Sequence, residues 1–516
     1  TAANYCVLNP VNKSPSSTVS NGNLRQTSSG GWYRAYSTIF FASTAAFYAE
    51  ATMTSLNSGS NGVRVGIANA NSVFTYVGSD ANSWSYDNQG GKYTNGTLSS
   101  YGASYAQGDI VSILFNNGSL TFYKNGVSQG VAYSGLTGTF CFAGSPFDTD
   151  TVDWNFGQRP FSYSLPSGAL ALNTYNLPTS TIVKGNTVMD ATLYTGTGAS
   201  LSVTNTAAFK PDLVWVKSRS AATTNKLTDS VRGVTKGLSS NSTDAESTDT
   251  QGLTAFGSAG FTVGTNTDYN NLAATYVAWQ WQAGQGTNTT NTNGTITSTV
   301  SVNASAGFSV VTYTGTGANA TVGHGLGVAP SLVIVKQRND SGTNWLSYHA
   351  SLGATQGISL DSTSASNTSS TYWNNTAPTS SVFSIGTTTN VNRSTGTYVA
   401  YCWTPIAGFS AFGSYTGNSS TDGPFVYTGF RPKYLLIRRT DAAASWLVFD
   451  SARDTYNAVT KLLRPNLADA EATGADVALD FLSNGFKLRQ TSNNINAGTI
   501  IYAAYASNPF KNSLAF

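Results

Sequence analysis

Five landmarks recur three times, in the same order, through the carboxy-terminal two-thirds of this 516-residue chain. Each copy opens on a tyrosine turn: Tyr194-Thr195-Gly196-Thr197-Gly198, Tyr313-Thr314-Gly315-Thr316-Gly317 and Tyr415-Thr416-Gly417. Seventeen residues after each tyrosine stands a proline, Pro211, Pro330 or Pro432. An apolar run ending in a basic residue follows: Leu213-Val214-Trp215-Val216-Lys217, Leu332-Val333-Ile334-Val335-Lys336, Tyr434-Leu435-Leu436-Ile437-Arg438. Next come Asp229-Ser230-Val231-Arg232, His349-Ala350-Ser351-Leu352 and Asp450-Ser451-Ala452-Arg453, then Gly260-Phe261, Val382-Phe383 and Gly485-Phe486. Each copy closes on an aromatic strand: Tyr276-Val277-Ala278-Trp279, Tyr398-Val399-Ala400-Tyr401, Tyr502-Ala503-Ala504-Tyr505. The opening tyrosines lie 119 and 102 residues apart (194 to 313, 313 to 415). That is several times the period of a solenoid unit, so each copy is long enough to enclose a core, and three small tandem domains are expected.

Short runs rich in Val, Ile, Thr, Tyr and Phe, bounded by Gly, Asn and Ser, read as strands almost throughout. Asn116-Asn117-Gly118 and Lys124-Asn125-Gly126 read as hairpin turns, because Asn and Gly tolerate positive φ. Tyr398–Trp403 is apolar on both faces, which predicts a central strand of a covered sheet. Only Leu467-Ala468-Asp469-Ala470-Glu471 and the Ala-rich stretch after it suggest helix. The expected organisation is a β-sandwich over 1–161, a linker over 162–189 and β-repeats over 190–283, 284–404 and 405–516. Thr295–Val302 alternates as a strand belonging to the second repeat, and the short connection at Pro405 and Gly408 predicts that the second and third repeats pack together.

Charged residues are 10% of the chain, with 27 basic against 24 acidic side chains and a net +3, in no block of either sign. Nucleic-acid binding through counterion release lacks its basic patch. The nearest approach is Lys217/Arg219, Lys336/Arg338 and Arg438/Arg439, read as solvated strand ends, the sharper alternative being contact with acidic sugars or a partner subunit. No apolar stretch reaches the roughly 18 residues of a membrane span, so no membrane insertion is expected. The start at Thr1 reads as a trimmed chain or a piece of a longer one. Cys6, Cys141 and Cys402 form no CxxC pattern and read as buried free thiols, with Cys6 and Cys141 able to meet if their strands pair.

Residues 1–161 carry an ordered set of landmarks that resembles a SPRY domain, a bent two-sheet sandwich used for recognition. These are Phe47-Tyr48-Ala49-Glu50, Val65-Gly66-Ile67-Ala68, Ser83-Trp84-Ser85-Tyr86-Asp87, Gly108-Asp109-Ile110-Val111, Leu120–Val127 and Asn155-Phe156-Gly157-Gln158-Arg159-Pro160-Phe161. The resemblance implies binding through loops at one end, without catalysis. The candidates there are Asp80, Trp84, Tyr86 and Tyr93, since aromatics near Gly-rich turns can stack on sugars or peptides; the competing reading packs Trp84 and Tyr86 in the core. The whole arrangement, including Gly323-His324-Gly325-Leu326-Gly327, resembles virion structural proteins of tailed bacteriophages. That likeness implies a tail-fibre, baseplate or other exterior virion component, tail-associated, with other virion proteins as partners, a host surface glycan as ligand and a homotrimer as the assembly.

Catalytic chemistry lacks parts. The chain has only two histidines, and His349 stands where the other repeats have Asp229 and Asp450. No Gly-x-Ser-x-Gly element and no phosphate-binding Gly-Lys loop occurs. A glycosidase needs paired carboxylates about 5–10 Å apart, and the only glutamates are Glu50, Glu246 and Glu471. Asp148, Asp150 and Asp153 are the one calcium candidate, without the spacing of an EF-hand loop. No cofactor is expected. The sequence reading is an all-β, non-enzymatic virion component with a recognition domain, against two rivals: a stand-alone glycan-binding adhesin and a capsular polysaccharide depolymerase.

Overall fold

The computed structural model describes residues 4–57, 59, 61–70, 72, 75–474 and 477–512. It is all-β, and the described residues form two compact units that divide between Thr179 and Ser180.

The first unit is a sandwich of two antiparallel sheets. One runs Leu8–Lys13, Ala35–Ser37, Thr139–Pro146, Val63–Asn69, Ser83–Asp87, Gly91–Thr94, Thr97–Ser100. The other runs Val127–Tyr133, Ser119–Lys124, Ile110–Asn116, Ala46–Ser55, Thr151–Asn155, Arg25–Ser28, Ser17–Ser20. Both expected hairpins are present: Asn117 and Gly118 take φ of 45° and 75°, and Asn125 and Gly126 take 48° and 78°. Positive φ at both central residues matches the turn to the twist of the strands it joins. Phe41 packs on Phe115 and Phe142 with ring centroids 5.3 and 5.2 Å apart, filling the space between the sheets. Gly66 is required because a Cβ there would lie 1.9 Å from the Trp84 carbonyl oxygen on the neighbouring strand. The buried Glu50 carboxylate accepts hydrogen bonds from the Ser162 and Tyr163 amides at 2.9 and 3.1 Å. Part of the segment read as a linker therefore belongs to this unit, and Leu170–Ala171 also pairs in parallel with the strand that carries Glu50.

In the second unit each repeat has a large sheet and a smaller one. The large sheets are centred on Thr275–Trp281, Thr397–Trp403 and Thr499–Pro509, each flanked by the repeat's opening strand and its post-proline strand. Side chains of a strand alternate between faces, and here both faces are buried. Val214, Val216, Tyr276 and Ala278 pack towards the small sheet of their own repeat. Leu213, Trp215, Val277, Trp279 and Trp281 point the other way, into a core shared with Ile334, Tyr401 and Trp403 of the second repeat and Tyr434, Leu436 and Tyr505 of the third. Trp281 stands at the meeting point, with ring centroids 5.9 Å from Trp403, 5.6 Å from Tyr434 and 5.9 Å from Tyr505. Each repeat thus has its own core, and the three meet in a further common one.

The repeated Tyr-Thr-Gly turn has one cause in all three copies. The tyrosine hydroxyl donates to a backbone carbonyl: Tyr194 to Tyr269, Tyr313 to Val391, Tyr415 to Ile495, each at 2.7 Å. The next residue in each case, Asn270, Asn392 or Asn496, is fully buried, and its Oδ1 accepts the amide of Thr197, Thr316 or Asn418. The glycine fits because a Cβ at Gly196, Gly315 or Gly417 would lie 2.1, 2.4 or 2.1 Å from backbone of the opposing asparagine segment.

The helix suggested by Leu467–Glu471 is not formed. Its backbone is recruited by the first repeat instead: the Thr223 amide donates to Ala468 O at 3.0 Å and the Glu471 amide to Arg219 O at 2.8 Å. A local propensity of a few tenths of a kcal/mol per residue yields to such tertiary bonds.

Candidate functional site

Of the four residues read as a loop platform, the structure places two on the packed face of the first sheet. Trp84 and Tyr86 lie two apart on Ser83–Asp87 and share its inner side. Tyr86 is fully buried, with its ring 5.3 Å from Phe122 of the other sheet and its hydroxyl bonded to Ala103 O; burial raises its pKa to about 12. Trp84 is half-buried against Phe140 at 5.7 Å. Strand alternation corrects the loop reading here: residues inside a regular strand are assigned to faces, and this face is core. Asp80 holds its own loop, accepting from the Ser72 and Ser83 hydroxyls at 2.8 and 2.6 Å.

Tyr93 lies on the opposite, outer face, where it helps enclose a buried arginine. Arg64 lies between two apolar neighbours in Val63–Asn69, pairs in register with Asp87 and Ser145, and is only 6% exposed. Its guanidinium carbon sits 4.2 Å from the Trp32 ring centroid, 4.2 Å from Tyr76 and 3.9 Å from Tyr93. The rings support one another: Trp32 and Tyr76 are 5.3 Å apart, and Phe147 meets Trp32 edge-on at 4.7 Å. Trp32 is fixed by its indole N–H, which donates to Asn61 O at 3.1 Å. Such contacts contribute about 0.5–2 kcal/mol each. They leave the in-plane donors unmet, and Arg64 Nε and Nη1 are buried with no hydrogen-bond partner. Burial raises the pKa of Asp87, while Arg64 and the amides of Gly91 and Gln89 oppose the rise. Trp32, Arg64 and Tyr76 escaped the sequence reading. The available signal was a cation inside an otherwise apolar strand.

The calcium candidate is not brought together. Asp153 is held by Arg25 through two bonds of 2.7 and 2.6 Å, which lowers its pKa, and Asp148 accepts the Gly30 amide at 2.9 Å. Among the described residues no group of three or more His, Cys, Asp or Glu could hold a metal ion. Cys6, Cys141 and Cys402 are buried and unbonded to one another.

The basic strand ends are not solvated. Lys217, Lys336 and Arg438 are fully buried, and each crosses to another repeat: Lys217 Nζ donates to Leu467 O at 2.9 Å, Lys336 Nζ to Thr243 O at 3.0 Å, and Arg438 Nη2 to Ser364 O at 2.5 Å. Burial pulls Lys217 down to about 7, Lys336 to about 8 and Arg438 to about 10. Between the first and second repeats, Asp229, Arg232, Glu246 and Arg338 form a continuous chain of ion pairs. Asp450, Arg453, Glu471 and Arg219 repeat it between the third and first. The remaining seam replaces it: Ser366 donates its amide to Thr440 O at 2.8 Å, and the buried His349 faces Tyr502 O at 3.1 Å with its pKa pulled down to about 4.

Comparison with known proteins places a family model described as "Domain of unknown function (DUF7483)" on residues 184–509 and a SPRY domain model on residues 46–159. Among solved structures, the chain is similar to the SPRY domain of human HERC1, at 19% identity over 30% of this chain and 99% of that one, TM-score 0.27. It is also similar to a human SPRY domain, at 15% identity over 28% and 98%, TM-score 0.25. The TRIM65 PSpry domain matches at 14% identity over 30% and 93%, TM-score 0.25.

Proposed function

The chain belongs to the DUF7483 family, whose domain of unknown function occupies residues 184–509, and on that premise we propose that it is a non-enzymatic virion structural protein of a tailed bacteriophage. It is an exterior, tail-associated component whose amino-terminal SPRY domain recognises a ligand while the second unit serves as scaffold. The observation that carries this reading is the division of labour between the units. In the second, buried charged side chains bond across the seams between repeats, Arg438 among them although its Nε and Nη1 are unspent; in the first, the buried Arg64 guanidinium is enclosed by three aromatic rings with Nε and Nη1 unspent and forms no ion pair among the described residues.

The non-enzymatic reading draws support from the same bonding. His324 Nδ1 accepts the Leu326 amide at 3.1 Å and burial lowers its pKa, while Glu246 and Glu471 are taken up by arginines at the seams. The partners of this reading are other virion proteins, a host surface glycan and two further copies of the chain. The aromatic enclosure also favours the second reading, a glycan-binding adhesin acting without a particle.

Electron microscopy of phage particles labelled with antibody against residues 180–513 separates these. The proposal requires label on the tail exterior, at positions repeating with the symmetry of the assembly. Recovery of the chain as a free monomer, absent from particles yet binding host cells, would replace it by the adhesin.

A further inference from the structure

We propose that the Arg64 enclosure is a carboxylate-binding site whose ligand is an acidic sugar, an inference that deepens the recognition reading above and rests on it. A guanidinium has five N–H donors in its plane and a charge above and below it. The rings of Trp32, Tyr76 and Tyr93, at 3.9–4.2 Å, answer the charge. They offer no lone pairs to the plane, and Nε and Nη1 remain without acceptors inside the protein. Among the described residues no carboxylate forms an ion pair with Arg64. Its cross-strand neighbour Asp87 feels its charge but makes no ion pair with it, and Oδ1 of Asp87 accepts the Gly91 amide at 2.7 Å and the Gln89 amide at 3.2 Å. A buried cation left this way is costly, and a carboxylate that takes one of these two N–H groups together with Nη2, in two parallel bonds, removes part of the cost with a fit that few other groups match.

The setting selects the rest of the ligand. The strand Val63–Asn69 is paired on both sides, with Thr139–Pro146 and Ser83–Asp87, so a peptide cannot be held here by adding a strand. The ligand is held through its substituents and not through a backbone ladder. Trp32, Tyr76 and Tyr93 are each half-buried, and their rims offer the aromatic C–H surface on which a pyranose packs. Asp148 follows Phe147, which touches Trp32, and Asp80 lies on the loop of Tyr76, while Lys92, next to Tyr93, turns its ammonium to Tyr101 and Tyr133. One isolated carboxylate on an otherwise hydroxylated ring meets all of these conditions.

Calorimetry on the full chain tests this with three probes: a glucuronate-containing hexasaccharide, the same hexasaccharide with its carboxyl groups reduced to alcohols, and a glutamate-rich peptide. The acidic sugar should bind at least tenfold more tightly than its reduced form and than the peptide. Arg64→Gln should abolish that preference. Arg64→Lys, which keeps the charge and loses the fork, should retain less than a tenth of the affinity. Because Arg64 is buried, each variant is checked by thermal unfolding, and Tyr76→Ala, in the covering loop, supplies an independent loss of at least fivefold. Equal binding of the acidic and reduced sugars, tighter binding of the peptide, no binding of the acidic sugar at millimolar concentration, or a preference that survives Arg64→Gln in a folded protein would each overturn the assignment. Binding of the neutral sugar without Arg64 would do so while leaving the recognition reading intact; absence of the chain from particles would remove that reading and leave the calorimetry unchanged.

Discussion

Asn392 is fully buried, yet its side chain does what backbone pairing does elsewhere. Oδ1 accepts the Thr316 amide at 2.7 Å, and Nδ2 donates to Gly386 O at 2.8 Å and to Ala318 O. Asn392→Ala leaves three backbone groups unmet in the interior, and an unmet buried group costs about 1–3 kcal/mol. The variant should lose about 3 kcal/mol in denaturant unfolding of the second unit, allowing for partial relaxation. Lys217 supplies a pH signature. Its folded pKa of about 7 lies below the ordinary lysine value of 10.5 because burial disfavours the ammonium. Between these values the folded protein has released the proton and the unfolded chain still binds it. Stability therefore rises with pH from about 7 towards 10, by at most about 1.4 kcal/mol per pH unit from this group, and the penalty is fully present below pH 7. Lys336, at about 8, acts with the same sign over a narrower window. Thermal melts across that range should flatten in Lys217→Met, which keeps the stem and removes the titrating group. A slope unchanged by the substitution would show that Lys217 does not titrate there.

Among the elements, the seams differ in a way the strand pattern alone does not announce. Glu246 joins Arg232 and Arg338 at 3.0 and 2.9 Å; burial works against its charge, yet the two guanidinium groups hold its carboxyl below the ordinary value. Glu246→Gln keeps the shape and removes the charge, leaving the buried Arg232 guanidinium with Asp229 as its one charged partner beside the Lys236 and Leu227 carbonyls and the Tyr401 hydroxyl. A loss of about 2 kcal/mol in denaturant unfolding is expected, within the range for charged hydrogen bonds. Ser366→Ala in the seam that lacks these arginines removes the hydroxyl bonds to Thr440 O at 3.0 Å and Gln356 Oε1 at 2.9 Å but keeps the amide bond to Thr440, and should cost about 1 kcal/mol. What the sequence disclosed follows from period and from turns. Tyr398–Trp403 reads as a doubly covered strand because it is apolar at every position, and Asn117-Gly118 reads as a turn because both residues accept positive φ. The SPRY sandwich was legible through such landmarks. The shared core was not, because Trp215 and Val214 look equally apolar whether they face their own repeat or another. The Arg64 enclosure was hidden for a different reason: Trp32, Arg64, Tyr76 and Tyr93 come from four separated segments, and only sheet pairing and the loop crossing the sheet bring them within reach. The basic strand ends were misread because exposure is the usual fate of a charge, and burial at a seam depends on carbonyls far away in sequence, such as Thr243 for Lys336, 93 residues off, and Ser364 for Arg438, 74 residues off.

For the whole molecule, the second unit encloses within one chain an aromatic centre to which all three repeats contribute. The common core takes Trp215, Trp279 and Trp281 from the first repeat, Trp345, Tyr401 and Trp403 from the second, and Tyr434, Trp446 and Tyr505 from the third. Removing one repeat uncovers large apolar side chains on both of the others, each worth about 1.5–3 kcal/mol when fully buried. It also breaks the seams: without the third repeat, Lys217 loses Leu467 O and Arg219 loses Glu471. Against a net stability of about 5–15 kcal/mol for a domain, these losses are too large for a two-repeat fragment to absorb. Residues 180–513 should therefore unfold in one cooperative transition, with tryptophan fluorescence and far-ultraviolet circular dichroism changing together. Residues 180–404 should bind a dye specific for exposed apolar surface, aggregate, or unfold without a sharp midpoint. Adding residues 405–513 as a separate chain should restore the transition to the extent that the seams can reform. If residues 180–404 instead gave a sharp, reversible transition and bound no dye, the shared core would be a contact between self-sufficient domains.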